Sequence, residues 1–131
     1  VPELQSLNLP RNSLDTEAVH SLGAAASWWP KLRDLNLSHN SLHFGEVQAL
    51  VEAAPHLSQL QRLDLSGNRV RCDGFALIVA AASQFSQLQH LDLHNNSLLC
   101  FSVADLAAAA QHWADLQTLR LSGNYIRPAA V

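Results

Sequence analysis

Two histidines and an aspartate near residue 90 are the side chains whose types and spacing come nearest to a chemical site. His90, Asp92 and His94 alternate with leucines, so a strand would place all three on one face. Imidazole and carboxylate groups are ligands for zinc and other divalent metals. Alternate residues of a strand lie about 6.5 to 7 Å apart, however, so ligands from one strand converge only when their side chains lean together. We therefore predict no physiological metal site and no cofactor.

Serines close to these histidines raise the question of hydrolysis. Ser66 and Ser122 each stand directly before a Gly-Asn pair, which we interpret as turn residues. The sequence contains no nucleophile elbow, no oxyanion-forming glycine turn and no glycine-rich phosphate loop. We therefore predict that the chain is not an enzyme.

The chain has two cysteines, Cys72 and Cys100. We expect both to be free thiols that act as small packing groups. The alternative is a disulfide or a regulatory redox pair, which needs alpha carbons within about 4.4 to 6.8 Å of each other. Because two cysteines are too few for a disulfide scaffold, they favour a reducing compartment, and we predict a cytoplasmic or nuclear location.

Composition and charge exclude several classes of function. Hydrophobic residues make up 48% of the chain and charged residues 15%, which is far from the composition of a disordered protein. The net charge of -3 supplies no basic field for a nucleic-acid backbone. No apolar run approaches the roughly 18 to 20 residues of a membrane span. We predict neither a nucleic-acid partner nor a membrane partner.

One pattern, L-x-x-L-x-L-x-x-N-x-L or a close variant, recurs five times at a spacing of 28 residues. The copies define repeats 4–31, 32–59, 60–87 and 88–115 and a partial repeat 116–131. We predict a single repeat domain over residues 1–131. Because no polar capping unit flanks the repeats, we expect a fragment of a longer protein. The alternative is that the chain ends cap the repeats poorly and edge strands pair between molecules, which would give some self-association.

Each repeat predicts a strand followed by a helix. The segment L-x-x-L-x-L alternates apolar and polar residues with the period of a half-buried strand, and the alanine-rich remainder has helical spacing. Helices are predicted over 16–28, 45–54, 73–84 and 102–112. Parallel strands need crossover helices, and strands pack more closely than helices do. We therefore predict a curved, right-handed α/β solenoid with a parallel sheet on its concave face and helices on its convex face.

An asparagine follows the last strand leucine by three residues in every repeat. Where the chain leaves the strand, unpaired buried backbone groups cost roughly 1 to 3 kcal/mol each, and an asparagine amide can both donate to and accept from them. The alternative, display of the amides to a ligand, is disfavoured because an apolar residue follows two positions later. We interpret the set as a structural ladder that consists of Asn12, Asn40, Asn68, Asn96 and Asn124.

These motifs resemble the leucine-rich repeat proteins, specifically the ribonuclease inhibitor-like class, over essentially the whole chain. The resemblance implies a horseshoe segment and a function in protein–protein contact. That class includes enzyme inhibitors, innate immune sensors, activators of small GTPases, actin-capping proteins and scaffolds. We expect a protein partner. The alternative is a structural or self-assembling segment of a larger scaffold or sensor protein.

The outward strand residues form two columns across the predicted sheet. The first column consists of Ser6, Asp34, Arg62, His90 and Thr118, and the second of Asn8, Asn36, Asp64, Asp92 and Arg120. Asp34 can pair with Arg62, whereas Asp64 beside Asp92 is unfavourable. We predict that an acidic centre receives a basic or amide-rich partner; the alternative is that these charges only keep the face soluble. The predicted binding residues are Asp34, Asn36, Arg62, Asp64, His90, Asp92 and Arg120.

Three further side chains are candidate accessory anchors. Trp28 belongs to a column whose other members are polar, so we expect it to be exposed, either as an interface anchor or as a shield over the terminal repeat. Tyr125 and Arg127 follow the last strand and, with Arg69 and Arg71, form a second candidate patch on the loop rim.

Overall fold

The computed structural model describes residues 2–99 and 103–124, with the backbone alone for 103–106. Strands and helices alternate along this part of the chain. The strands are β1 (Ser6–Asn8), β2 (Asp34–Asn36), β3 (Arg62–Asp64), β4 (His90–Asp92) and β5 (Thr118–Arg120). The helices are α1 (Thr16–Ala26), α2 (Phe44–Glu52), α3 (Arg71–Ala80) and α4 (Val103–Ala110).

The five strands form one parallel sheet in chain order. The central leucine of each strand pairs with the leucine 28 residues on, as Leu35 does with Leu63. This register reproduces both predicted columns of outward residues. Each helix between two strands is the crossover that parallel pairing requires. The predicted α/β repeat architecture is confirmed.

Inward strand leucines and the apolar faces of the helices form the core. Leu35, Leu63 and Leu91 are at most 2% exposed, because helix residues such as Val47 and Phe75 pack in the same core. Strand alternation therefore turns the residues on either side of each leucine outward. The core holds the strands in place and leaves the two columns on the open side of the sheet.

All four helices end two to four residues earlier than the alanine-rich pattern predicts. Helix α2 ends at Glu52 and α3 at Ala80, and each is followed by a short 3-10 helix, Ala54–His56 and Ala82–Phe85. Pro55 lacks the N–H that a continued α-helix would need. The second 3-10 helix, Ala82–Phe85, ends at a bulky core residue, because Phe85 is only 2% exposed.

The structure corrects the expectation for one cysteine. Cys72 is disulfide-bonded, so it is not a free thiol. Cys100 lies outside the described residues. The cellular location stays a prediction. In the described part of the chain, no helix has the length and apolar character needed to cross a membrane.

Candidate functional site

The outward side chains of β1 to β5 make up a surface that we call the sheet face. It consists of the first and second columns, held in register by the pairing of the strands. All seven predicted binding residues lie on the sheet face, in neighbouring positions along or across the strands. They are Asp34, Asn36, Arg62, Asp64, His90, Asp92 and Arg120.

Two ion pairs connect neighbouring strands on the sheet face. Arg62 Nε lies 3.5 Å from Asp34 Oδ1, and Arg120 Nη1 lies 3.2 Å from Asp92 Oδ2. The Arg62 and Arg120 side chains remain 59% and 60% exposed, respectively. Exposed ion pairs typically contribute only about 0 to 1 kcal/mol to stability. The two arginines are therefore available to a partner at little cost to the fold.

Residues of the second column also close turns, a structural role that the sequence analysis did not predict. The Oδ1 atoms of Asn36, Asp64 and Asp92 each accept a hydrogen bond of 3.0 Å from the backbone N–H two residues later. These are Asx turns, which close the chain as it leaves the strand. The sequence signal was the Asn or Asp at the last strand position of the first four repeats. Asn8 cannot make this turn, since residue 10 is Pro10 and has no N–H.

A shallow depression of about 160 Å³ lies over β3, β4 and β5. Arg62, Asp64, His90, Asp92 and Arg120 line it. Asp64 is opposite Asp92 in the strand register, and among the described residues no cation pairs with Asp64. Its Oδ1 accepts instead from the Ser66 hydroxyl at 2.7 Å. The depression thus combines two exposed guanidinium groups with one carboxylate that has no cationic partner.

The five asparagines lie one above another between successive turns. Asn68 shows the arrangement: its Oδ1 accepts from the backbone N–H groups of Asn40 at 2.9 Å and Leu42 at 3.0 Å. Its Nδ2 donates to the carbonyl oxygens of Leu37, Leu65 and Ser66. Asn40, Asn68, Asn96 and Asn124 are at most 4% exposed. Asn12 is exposed and donates to the carbonyl oxygen of Pro10. The four buried amides are fully committed to the backbone.

The histidines of the fourth repeat do not converge into a metal site. In the described part of the chain, no three His, Cys, Asp or Glu side chains lie close enough together to hold a metal ion. His94 Nδ1 lies 2.5 Å from Ser122 Oγ in the next repeat. Asp92 bonds to the His94 backbone N–H and to Arg120. The absence of a metal, a cofactor and an enzymatic activity stays a prediction.

Of the three candidate accessory anchors, the structure describes only Trp28. The Trp28 side chain is 72% exposed and follows α1, next to the partly buried Trp29. Arg69 is exposed on the loop that leads into α3, and Arg71 is exposed at the first position of that helix. Tyr125 and Arg127 lie outside the described residues.

Glu46 is a buried acidic residue that sequence reasoning overlooked. It lies in the first turn of α2 and is 9% exposed. Its carboxylate accepts hydrogen bonds from the Thr16 hydroxyl of the preceding repeat and from the His43 backbone N–H at 2.8 Å. Burial raises the pKa of Glu46, but these hydrogen bonds and the His43 side chain outweigh burial, so its pKa lies below the ordinary value of a glutamate. A Glu three residues after a helix-capping position was the available signal.

Glu46→Gln should lower the free energy of unfolding at pH 7 by about 1 to 2 kcal/mol, because a neutral amide accepts weaker hydrogen bonds than a carboxylate. The folded-state pKa is depressed, so the carboxylate stabilises the fold above about pH 5 and this contribution is lost as the pH falls through that pKa. Urea denaturation from about pH 3 to 7 should show that the difference in free energy of unfolding between wild type and Glu46→Gln becomes smaller at low pH.

The exposed Glu52 at the end of the same helix provides the control. Glu52→Gln should change the stability at pH 7 by less than about 0.5 kcal/mol. If the difference in free energy of unfolding between wild type and Glu46→Gln stays constant with pH, the stabilising role assigned to the Glu46 carboxylate is wrong.

Comparison with known proteins identifies similar sequences and folds. The model of the Leucine Rich Repeat family matches residues 31–51 and 87–108. No curated protein matches the sequence. The tropomodulin C-terminal domain from Caenorhabditis elegans superposes with a TM-score of 0.80 at 16% identity, covering 92% of this chain and 75% of that one. The structure titled leiomodin-1 actin-binding site 2 has a TM-score of 0.78 at 16% identity, with 98% and 73% covered. At this identity the two likenesses concern the fold alone.

Proposed function

Because this chain is a leucine-rich repeat protein, we propose that it binds a protein partner through the sheet face. One observation carries the proposal. Arg62 and Arg120 extend from the sheet face with about 60% of their side chains exposed, on either side of a depression that contains Asp64. Arginine is enriched among the residues that dominate binding energy at protein interfaces.

The charge pattern supports a polar, mixed-sign contact. Along the second column Asp64 has no cationic partner among the residues that the structure describes, while Arg120 already pairs with Asp92. A partner that offers a basic group to Asp64 and acidic or amide groups to the arginines would complement this pattern. The Asx turns hold the Asp64 and Asp92 carboxylates in place before a partner arrives, which limits the entropy lost on binding.

The structural neighbours suggest one defined protein to test. The leiomodin-1 structure is titled as an actin-binding site, and this chain shares its fold over 98% of the chain length. A role in protein binding is consistent with that likeness, and actin is the first candidate partner. Co-sedimentation with filamentous actin and a gel shift with monomeric actin would examine it directly.

Arg62→Ala and Arg120→Ala should each weaken partner binding by about tenfold or more, as expected for truncation of an exposed interface arginine. These variants are preferable to changes at Asp64, whose carboxylate also closes a turn. Affinity would be measured by calorimetry against actin or, if actin does not bind, against a protein that quantitative pull-down from cell extract identifies.

The matched controls lie on the helix side. Gln48→Ala and Glu52→Ala change exposed residues of α2 and should leave the affinity unchanged. Thermal denaturation would establish that all four variants fold equally well. Equal binding by wild type and both arginine variants would remove the sheet face as the binding surface.

A further inference from the structure

The loop that leads from β3 to α3 differs from the equivalent loops of the other repeats. Ser13, Ser41 and Ser97 share one position of the repeat and are left-handed, with φ of 50°, 57° and 58°. In the third repeat Arg69 stands at this position, and the left-handed residue is instead Arg71, with φ of 57°. A residue with a side chain is strained in this conformation, and such residues concentrate at functional sites. This loop is therefore a candidate binding segment.

Backbone hydrogen bonds to both neighbouring repeats hold this loop in place. The Arg69 N–H donates to Leu42 O at 2.8 Å, and the Arg71 N–H donates to Asn96 O at 2.9 Å. The equivalent residues of the other described loops make neither bond. Val70, between the two arginines, is fully buried. The two exposed arginine side chains thus extend from a fixed backbone, which limits the entropy lost on binding.

Neither arginine of this loop is neutralised by an acidic side chain. Among the described residues, Arg69 and Arg71 take part in no ion pair. Asp73 is close in sequence, but its Oδ1 accepts from the Gly74 N–H at 2.8 Å. Glu46 of the preceding repeat is buried and hydrogen-bonded inside the fold. Both guanidinium groups therefore remain available, and a guanidinium binds a carboxylate through two parallel hydrogen bonds.

Exposed apolar side chains lie on either side of the arginines. The large hydrophobic residues that are exposed in the described part of the chain are Trp28, Phe44 and Leu99. Leu99 is equivalent to Arg71 in the next repeat, and Phe44 is equivalent to Cys72 in the preceding one. The strands of repeats two, three and four each have a neighbour on both sides, so an open end of the sheet does not cause this exposure.

We propose that a rim patch, which consists of Phe44, Arg69, Arg71 and Leu99, binds a short acidic segment of a protein that also carries apolar side chains. Carboxylates of the segment contact the guanidinium groups, and its apolar side chains cover Phe44 and Leu99. These two residues belong to repeats two apart, so about 10 to 20 Å separates their backbones. About three to six extended residues span that distance. A nucleic acid would satisfy the arginines but not the apolar side chains beside them.

Selection from a displayed library of random peptides, each about eight residues long, would test the rim patch. The selected peptides should be enriched in Asp and Glu together with Phe, Leu or Trp. A fluorescein-labelled synthetic copy should bind the wild type in fluorescence polarisation, and Arg69→Ser and Arg71→Ser should each weaken its binding about tenfold or more. Phe44→Ser and Leu99→Ser should weaken it several-fold. Serine stands at the position of Arg69 in three other repeats, so Arg69→Ser suits the fold.

Arg33→Ser is the matched control, because it removes an exposed arginine at the opposite end of the strands. It should bind the peptide like wild type, as should Arg62→Ala. Arg69→Ser should in turn keep the affinity for a sheet-face partner, which separates a failure here from a failure of the proposed function. Selected peptides without acidic residues, or equal binding by wild type and both arginine variants, would overturn the proposal. Tighter binding of a labelled single-stranded oligonucleotide than of the peptide would overturn it as well.

Discussion

Asn68→Ala should lower the free energy of unfolding by about 3 kcal/mol or more, because each buried backbone group left without a partner costs about 1 to 3 kcal/mol. The side chain is 4% exposed, so water cannot easily replace it. Its oxygen satisfies two backbone N–H groups of the preceding repeat, and its nitrogen bonds to carbonyl groups of both repeats. The substitution Asn68→Ala thus removes hydrogen bonds within one repeat and between two neighbouring repeats.

Urea denaturation monitored by circular dichroism would measure this loss. A domain of this size is stabilised by about 5 to 15 kcal/mol in total, so the variant should unfold at a clearly lower urea concentration. Asn12→Ala is the matched control, since Asn12 is exposed and donates one bond to Pro10 O. It should lose less than about 1 kcal/mol. Equal losses at the two positions would mean that the buried ladder is not what stabilises the turns.

Gly67→Ala should destabilise the protein by about 2 kcal/mol, because it combines backbone strain with a steric clash. Gly67 has a φ of 69°, in the left-handed region that favours glycine. The His39 imidazole of the preceding repeat packs over it, where a methyl group would overlap the ring. The large His39 side chain therefore packs against Gly67, which has no side chain, in the neighbouring loop.

A double-mutant cycle with His39→Ala separates the two causes. Removing the imidazole should recover the part of the loss that comes from the clash, leaving about 1 kcal/mol from the backbone. Gly45→Ala is the control in α2, where the added methyl group would lie an ordinary 3.5 Å from Thr16 Oγ1. That change should be neutral or stabilise by up to about 1 kcal/mol. Additive effects at Gly67 and His39 would show that they do not interact.

The architecture and the strand register follow from the sequence alone. The 28-residue spacing places each strand leucine beside its counterpart, and a slip of one residue would expose every leucine of that strand. For the same reason the columns, and the pairing of Asp34 with Arg62 and of Asp92 with Arg120, were predictable. Repetition supplies this information, since each unit must pack against a near copy of itself.

Whether an individual polar side chain is hydrogen-bonded, buried or available to a partner depends on the tertiary structure. The residue types at these positions were visible in the sequence, but only the folded structure shows that Asp64 and Asp92 close turns, that Glu46 contacts Thr16, and that Cys72 is disulfide-bonded. These contacts depend on rotamers and on loop backbone conformation, which vary between repeats. The leucine spacing therefore determines where an outward side chain stands, but only the folded neighbours decide whether its polar atoms remain available to a partner.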